Sequence, residues 1–379
     1  MPPEAGGALA ASFPGARPAP DAGLGLLLEA QHQLRSGHPE RAERSCRRLL
    51  RARPDHADAH NLLSVALAAL GRTGDALRHS RRAVELRPRE PGLIASLAER
   101  LRATGRLDEA IERHREALAL APDHRHALEG LARALAEAGR LEDALAVAER
   151  FRRAAPDVAA GHALTGELLA LLRRHDAAIL ALIRAVELAP ERQDWWRNLA
   201  RVCLTAMNLE VLERAARHLL ALDPADAEAK VHLANARFRR DAFGEVRALL
   251  ETVPALGLVG ANAQNLLGVT LARQGRIEAG LATLEQVPAL APEAAELQMN
   301  RLLHLNYDPE RSPASLKREH LAWAERFAVP LGGLPPGCSF TPRCPRRFEP
   351  CPTAHPGITD LGGGRSVKCY LHGPAVENP

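Results

Sequence analysis

Prolines recur along this chain at a fixed interval of 34 residues. They stand at Pro54, Pro88, Pro122, Pro156, Pro190 and Pro224, and again at Pro292 after one interval in which Leu258 occupies the expected position. Such a period is typical of an array built from one repeated structural unit. Proline lacks an amide hydrogen and clashes with the preceding helical turn, so each of these prolines is expected to end a helix.

At three further positions, similar residues recur with the same 34-residue period as the prolines. Counting from units that start at residues 23, 57, 91, 125, 159, 193, 227 and 261, the eighth position is always small: Ala30, Ser64, Ala98, Ala132, Gly166, Ala200, Ala234 and Gly268. Position twenty is alanine in five units, and position fifteen is glycine in five: Gly37, Gly71, Gly105, Gly139 and Gly275. Small residues allow two helices to pack closely, and glycine suits the left-handed end of a helix. Each unit is therefore predicted to be a pair of antiparallel helices that stacks on its neighbours.

Composition narrows the function classes. Aromatic residues make up only 3% of the chain, which favours helices packed through alanine, leucine and valine. The formal net charge of +4 gives little reason to expect nucleic-acid binding. No long apolar run predicts a membrane span, and the Pro/Gly/Ala-rich residues 1–22 do not resemble a secretory signal. We expect that N-terminal segment to be disordered and the protein to be cytoplasmic.

Two stretches carry a resemblance to a known family. "NLLSVALAALGRTGDALRHSRRAVELRP" (61–88) and "WWRNLARVC" (195–203), with Trp196 at the aromatic position that opens the pattern, resemble tetratricopeptide repeats. The resemblance extends over residues 23–294 as eight units in register. It implies an all-α fold, a right-handed superhelix of helix pairs, followed here by a small irregular cysteine-rich module.

Members of that family commonly bind a peptide or a partner helix in a concave groove. Positions five, nine and twelve share one face of the first helix of each unit. On that face we predict a peptide-binding groove formed by Asn61, Glu99, Arg102, Arg133, Glu167, Arg197, Arg201, Asn235 and Asn265. The charges are mixed and form no basic row, so no terminal-carboxylate ligand is assigned. Each of these residues also fits the plainer interpretation of a solvated helix face.

Other side chains in the array suggest no catalytic or metal site. Histidines such as His79, His114 and His218 occupy positions that look surface-exposed, and no paired metal-ligand motif is evident. Neither a phosphate-binding loop nor a nucleophile elbow is present, so no nucleotide cofactor is expected. Cys46 and Cys203 stand alone on predicted helices and are interpreted as packing residues.

Residues 295–330 are predicted to form capping helices. Ser312 followed by Pro313 is a favourable helix start. The stretch "LLHLNYDPERSPASLKREHLAWAERFAVPL" resembles the segment that joins repeats to the catalytic domain in bacterial proteins similar to O-linked N-acetylglucosamine transferases (SPINDLY-type). That resemblance implies a large glycosyltransferase domain, and the remaining residues do not resemble one. We therefore assign no catalytic residue and expect the chain not to be an enzyme.

Residues 331–379 contain four cysteines, Cys338, Cys344, Cys351 and Cys369. Reasoning from the residues leaves three interpretations open: surface thiols, disulfides, or a metal site holding zinc or a 4Fe–4S cluster. The stretch "GGLPPGCSFTPRCPRRFEPCPTAHPGITDLGGGRSVKCYL" resembles the C-terminal extension of ATP-binding subunits of oligopeptide and dipeptide ABC transporters. In some members of that family the four cysteines are thought to hold an iron–sulfur cluster. The nucleotide-binding domain that precedes the extension there has no counterpart here, so ATP binding is not implied.

Three functions follow from these patterns. The first is a non-enzymatic scaffold that binds protein or peptide segments. The second is the substrate-recognition part of a glycosyltransferase system whose catalytic chain is separate. The third is a redox-sensing or transporter-associated module formed by the cysteine-rich segment, whose place after the repeats suggests a gene fusion.

Overall fold

The structure is a computed structural model, which describes residues 22–308, 310–327, 359–362 and 365–367. Contacts divide the chain into two compact units, Met1–Val253 and Pro254–Pro379. Fourteen helices follow one another in the described part of the first unit: α1 Ala22–Arg35, α2 Pro39–Ala52, α3 Ala57–Ala69, α4 Thr73–Leu86, α5 Pro91–Ala103, α6 Leu107–Leu120, α7 Arg125–Glu137, α8 Leu141–Ala154, α9 Ala159–Leu171, α10 His175–Leu188, α11 Gln193–Ala206, α12 Leu209–Leu222, α13 Ala227–Phe238 and α14 Phe243–Leu250. The described part of the second unit contains α15 Gly257–Arg273, α16 Ile277–Leu284, α17 Val287–Leu290, α18 Ala295–Leu305, α19 Pro313–Phe327, β1 Thr359–Gly362 and β2 Arg365–Val367.

The helix ends predicted from the prolines are confirmed for the first six helix pairs. The second helices α2, α4, α6, α8, α10 and α12 each end two residues before a proline of the 34-residue series. The first helix of each pair begins within one residue of the predicted unit start. The small residues at position eight are buried, since Ala98, Ala132 and Ala200 are each 0% exposed. The periodic residues therefore set both the ends of the helices and the distance between them.

Each helix pair of the first unit packs on the next. The second helix of one pair contacts the first helix of the following pair, and successive first helices also contact each other, from α1 and α3 to α11 and α13. Successive second helices make no comparable contact in the described residues. Because the first helices approach each other more closely than the second helices do, the first unit curves towards its first helices. These helices therefore line its inner surface.

The turn inside each pair adopts a left-handed backbone at position fifteen. The five glycines predicted there have φ angles between 73° and 79°. Arg173, Met207 and Asp241 take the same position in the fifth, sixth and seventh repeats, with φ angles of 61°, 59° and 56°. A residue with a side chain costs roughly 1–2 kcal/mol more than glycine in this conformation. The left-handed turn is thus kept even where the sequence does not favour it.

The 34-residue register changes at the seventh pair. α14 has only eight residues, and α15 begins at Gly257, four residues before the start predicted at 261. Pro254 stands four residues before the position where the series expects a proline, so it ends the preceding helical segment early. The division between the two units falls here, between Val253 and Pro254. The register resumes inside the second unit, where Gly275 has a φ angle of 79°.

The second unit contains the two helices predicted between residues 295 and 330. The Ser312 Oγ accepts a hydrogen bond from the backbone N–H of Ser315 at 3.2 Å, which confirms the predicted start of α19. Leu316 and Trp323 of α19 pack against a small apolar cluster around Leu302. This packing covers part of the apolar face of α18.

A side-chain contact shared with the earlier repeats shows that α18 takes the place of a ninth first helix. At position four of their repeats, ring nitrogens donate to the carbonyl oxygen of the proline six residues earlier: His60 to Pro54, His162 to Pro156 and Trp196 to Pro190, at 2.8, 2.9 and 3.0 Å. The Gln298 Nε2 donates to Pro292 O at 2.8 Å across the same interval. The repeat pattern therefore continues into the segment predicted as a cap.

The strands β1 and β2 form an antiparallel hairpin, in which Thr359 pairs with Val367. The four cysteines predicted as metal ligands, Cys338, Cys344, Cys351 and Cys369, lie outside the described residues. So do residues 1–21 of the segment predicted to be disordered.

Candidate functional site

The structure places eight of the nine predicted groove residues on first helices of the first unit. They are Asn61 on α3, Glu99 and Arg102 on α5, Arg133 on α7, Glu167 on α9, Arg197 and Arg201 on α11, and Asn235 on α13. The ninth, Asn265, lies on α15 of the second unit, where its Oδ1 accepts a hydrogen bond from Asn300 Nδ2 at 3.1 Å. The first unit by itself therefore holds the candidate surface.

At the third and fourth repeats, the charged groups on the inner surface are paired with one another. The Arg102 Nη2 lies 3.0 Å from Glu99 Oε2, and the same guanidinium also bonds to Glu137 of the next first helix. The Arg133 Nη2 lies 2.8 Å from Glu129 Oε1. A cleft of about 220 Å³ remains beside these pairs. An incoming charged ligand would have to displace an existing ion pair here.

His114 lies beneath this cluster and is 0% exposed, so its predicted surface position is wrong. Its Nε2 lies 3.4 Å from Glu99 Oε1, and neither of its ring nitrogens has a well-aligned hydrogen-bond partner among the described residues. His114 stands at position twenty-four, which is also buried in other repeats, as at Cys46 and Ala148. That repeated position is the sequence signal that would have predicted its burial.

The burial of this cluster changes the acidity of Glu99. Desolvation raises the pKa of the Glu99 carboxyl, but the neighbouring His114 and Arg102 together outweigh it and lower the pKa to about 2. Gly130 of α7 leaves the room that the cluster needs, since an added Cβ would stand 2.2 Å from His114 Cε1 and 2.5 Å from Glu99 Oε1. The cluster is therefore a closed polar contact that joins the third and fourth repeats.

A larger cleft of about 430 Å³ opens between α9 and α11, at the fifth and sixth repeats. Its apolar lining includes Ala170, Leu171, Leu182 and Val202, and its polar lining includes Glu167, Arg173, His175, Asn198, Arg201 and Thr205. Leu171 is 62% exposed at the edge, whereas Leu182 is fully buried behind it. An apolar wall beside a few convergent polar groups is the usual composition of a ligand-binding cleft.

The polar side of this cleft is a chain of hydrogen bonds. Arg201 Nη2 donates to Asn198 Oδ1 at 2.7 Å, and Asn198 Nδ2 donates to Glu167 Oε1 at 2.9 Å. Burial raises the pKa of Glu167, although Arg133 and the hydrogen bond from Asn198 partly oppose this rise. Asn198 thus separates the guanidinium of Arg201 from the carboxyl group of Glu167.

Several lining residues of this cleft were missed by the sequence analysis. Asn198 stands at position six, which was not among the groove positions considered, and Arg173 takes the turn position that is glycine in other repeats. Leu171 and Leu182 could not be distinguished in the sequence from the many other leucines of the helices. A polar residue at position six and a non-glycine at position fifteen are the two departures from the repeat pattern that mark this place.

The remaining predicted groove residues make local contacts. Arg197 Nη2 lies 2.6 Å from Asp226 Oδ2, which joins the sixth repeat to the seventh. Asn235 Nδ2 donates to a backbone carbonyl of its own helix at 2.9 Å. The Asn61 Oδ1 is buried without a hydrogen-bond partner among the described residues. These three side chains do not join the cleft.

The outer side of the first unit has a cleft of its own, which provides a useful comparison. It measures about 340 Å³ and lies between the second helices α8 and α10, with part of α9 at its base. Leu180 at its edge is 70% exposed. The same repeat thus carries one exposed leucine on each side, Leu171 inside and Leu180 outside.

The two cysteines of the array are packing residues, as predicted. Cys46 and Cys203 are buried and unbonded, and burial raises the pKa of each thiol to about 12. Within residues 22–308 and the shorter described ranges, no three histidine, cysteine or acidic side chains are grouped as metal ligands would be. Among the helices that the structure describes, none has the length and apolar character needed to span a membrane.

Comparison with protein families identifies the repeated unit. Residues 27–91 and 101–168 each match a family model described as tetratricopeptide repeat. Within these two ranges the helix pairs match tetratricopeptide repeats. The predicted resemblance is thereby confirmed for these residues, and the described part of the first unit is an all-helical solenoid of helix pairs.

The chain is also similar to several solved structures. PilF of Pseudomonas aeruginosa is 18% identical, with a TM-score of 0.48, over 57% of this chain and 97% of that one. A thermophilic tetratricopeptide protein of Thermus thermophilus is 27% identical, with a TM-score of 0.40, over 48% and 100% of the two chains. A mutant O-GlcNAc transferase of Thermobaculum terrenum is 32% identical, with a TM-score of 0.34, over 35% and 26%.

Curated relatives match only short stretches. A stretch of 39 residues is 46% identical to the oligopeptide transport ATP-binding protein AppD of Bacillus subtilis. A stretch of 66 residues is 38% identical to the dipeptide transport ATP-binding protein DppF of Escherichia coli. The matches span 12% and 19% of the lengths of these relatives.

Proposed function

We propose that this chain is a non-enzymatic scaffold whose first unit binds segments of other proteins on its inner surface. Stacked repeats present an extended curved surface that suits an elongated ligand. The observation that carries the proposal is the cleft between α9 and α11, where the exposed Leu171 lies beside the hydrogen-bonded chain of Arg201, Asn198 and Glu167. It is the larger of the two inner-surface clefts described above.

A display selection tests this proposal without assuming the ligand. The full chain is immobilised and challenged with random peptides, and the recovered peptides are titrated against two matched variants. Leu171→Gln changes the inner cleft, and Leu180→Gln changes the outer cleft of the same repeat. Loss of one well-buried apolar contact is expected to weaken binding about tenfold, because such a contact contributes about 1.5 kcal/mol or more.

We expect the weakening with Leu171→Gln alone. Recovery of no peptide above background would contradict the proposal. Equal binding by both variants would contradict it as well, because the two leucines differ chiefly in the side of the solenoid on which they lie.

A second candidate function concerns the cysteine-rich segment, residues 331–379, and it rests on the resemblance of that segment to the C-terminal extension of transport ATP-binding subunits. In this proposal Cys338, Cys344, Cys351 and Cys369 bind one 4Fe–4S cluster or one zinc ion, since four thiolates satisfy either. Iron and zinc contents of protein purified without oxygen test this directly. The control is the same chain with all four cysteines replaced by serine. Equal metal in the two proteins, or none in either, would contradict the proposal.

A further inference from the structure

The charges around the inner cleft differ from those elsewhere on the inner surface. Arg102, Arg133 and Arg197 each lie within ion-pair distance of a carboxylate. Arg173 and Arg201 also line the inner surface, but no carboxylate of the described residues lies within ion-pair distance of either. These two guanidinium groups therefore keep their charge available at the cleft.

The one carboxylate in the lining does not neutralise them. Glu167 is reached from Arg201 only through Asn198, whose two hydrogen bonds are 2.7 and 2.9 Å long. Burial also disfavours the ionised form of Glu167, so its pKa lies above the ordinary value. The balance of formal charge in the cleft is consequently positive, with two arginines against one carboxyl group.

The apolar side of the cleft limits the ligand further. Leu171, exposed at the edge, and the buried Leu182 and Val202 form a continuous aliphatic wall. The cleft lining contains no phenylalanine, tyrosine or tryptophan, and its one ring is the imidazole of His175. An aliphatic side chain of the ligand would cover the exposed part of Leu171 and remove it from water.

We propose that the cleft binds an internal acidic segment of a partner protein, with one aliphatic side chain against Leu171 and a neighbouring Asp or Glu side chain on Arg201 and Arg173. The proposal rests on the proposed scaffold function and specifies its ligand. The guanidinium of an arginine can donate two parallel hydrogen bonds to one carboxylate. Such a contact forms here without breaking an existing ion pair, whereas the smaller cleft at Arg102 and Arg133 offers no free cation.

Fluorescence polarisation with the full chain and four labelled nonapeptides tests this inference. The first peptide has a central leucine flanked by aspartates and glutamates and a C-terminal amide. The second replaces the acids with asparagine and glutamine, and the third replaces the leucine with alanine. The fourth is neutral but ends in a free carboxylate, so it separates a terminal carboxylate from side-chain carboxylates as the source of the charge.

We expect the first peptide to bind and the second and fourth to bind at least about tenfold more weakly, the loss expected for one charge-assisted hydrogen bond. The third peptide should be weaker by a similar factor because it lacks the aliphatic contact. Binding of the first peptide should also weaken as salt is added, since exposed charges are screened.

Variants of the chain locate the contact. Arg201→Ala and Arg173→Ala should each weaken the acidic peptide about tenfold. Arg201→Lys should fall between the wild type and Arg201→Ala, because lysine keeps the charge but not the paired donors. Arg214→Ala is the matched control, since Arg214 is exposed on the second helix α12, outside the cleft, and its removal should leave binding unchanged.

The inference and the scaffold function can fail separately. Equal binding of the acidic and neutral peptides, no binding of the acidic peptide, or no effect of Arg201→Ala would overturn the inference. If the display selection still recovers peptides that depend on Leu171, the scaffold function stands and only the acidic ligand is wrong. If no recovered peptide depends on Leu171, both are wrong.

Discussion

The first four repeats and the three that follow are built on the same helix pair but differ at the turn inside it. In the first four, position fifteen is glycine, and the left-handed backbone costs little. In the next three it is Arg173, Met207 and Asp241, in the same conformation but at a cost. Departures from an otherwise consistent pattern tend to occur at functional positions. Here one such departure, Arg173, contributes its side chain to the larger of the two inner clefts described above.

The inner surfaces of the two regions also differ in how their charges are arranged. At the third and fourth repeats, Glu99, Arg102 and Glu137 are joined to one another across the repeat boundary. At the fifth and sixth, Asn198 stands between Arg201 and Glu167 and leaves the arginine without a carboxylate partner. In the proposed function, the first region mainly joins neighbouring repeats and the second binds the ligand.

The largest change in stability should come from adding a side-chain atom at Gly130, which packs directly against His114. Gly130→Ala would place a Cβ 2.2 Å from His114 Cε1 and is expected to destabilise the first unit by roughly 2–3 kcal/mol through overpacking. Gly74→Ala on α4 is the matched control, because nothing lies within 4 Å of its added Cβ. Urea unfolding followed by circular dichroism measures both. Equal midpoints for the two variants would contradict the tight packing described for the third and fourth repeats.

The second prediction compares how the Glu→Gln substitution at residue 99 and at residue 167 changes the free energy of unfolding. Glu99→Gln should lower the free energy of unfolding at pH 7 by about 2 kcal/mol, since it leaves a buried cluster without its charge. Glu167→Gln should leave it unchanged or raise it, because the ionised form of Glu167 is disfavoured by burial. Asn198 can still donate to the new amide oxygen. A loss of stability in Glu167→Gln equal to that in Glu99→Gln would remove the distinction between the regions.

The pH dependence of these two variants has opposite signs. The pKa of Glu99 is depressed to about 2, so its contribution is complete above the unfolded value of about 4.3 and is lost as the pH falls towards 2. The difference between wild type and Glu99→Gln should therefore shrink in that window. The pKa of Glu167 is raised, so the advantage of Glu167→Gln should shrink as the pH falls from neutral. Unfolding titrations from neutral pH downwards check both directions.

The smallest predicted effect concerns the turn residues. Met207→Gly should stabilise the chain by about 1 kcal/mol, because it relieves a side chain held at a φ angle of 59°. Gly105→Met should destabilise it by a similar amount, although nothing lies within 4 Å of an added Cβ there. Thermal unfolding of the two single variants shows whether the shifts have opposite signs. Shifts of the same sign would show that side-chain contacts, and not the backbone, decide these positions.

Much of the fold was predictable because the same structural constraints recur in each repeat. Prolines at a fixed spacing end the second helices, and small residues at position eight set the packing distance, so Ala98 and Pro122 carry nearly the same information as their counterparts elsewhere. The early end of α14 was not predicted, because a single proline at Pro254 outweighs the period there. A single proline can thus override the 34-residue period at one helix boundary.

The candidate site was only partly predictable. Positions five, nine and twelve lie on the first helices, and two of the residues predicted there, Glu167 and Arg201, line the cleft between α9 and α11. They could not show that Asn198 separates these two side chains, since that depends on how neighbouring repeats pack. The burial of His114 was missed because its repeat position was interpreted as surface-exposed, whereas the same position is buried at Cys46 and Ala148.

Photo-crosslinking tests the binding surface most directly. A benzophenone amino acid is placed at Leu171 or at Leu180, the exposed leucines on the inner and outer sides of the fifth repeat, and the chain is irradiated with a selected peptide. We predict a covalent peptide adduct from the probe at residue 171 and none above background from the probe at residue 180. Adducts from both probes, or from residue 180 alone, would contradict the assignment of the binding site to the inner cleft.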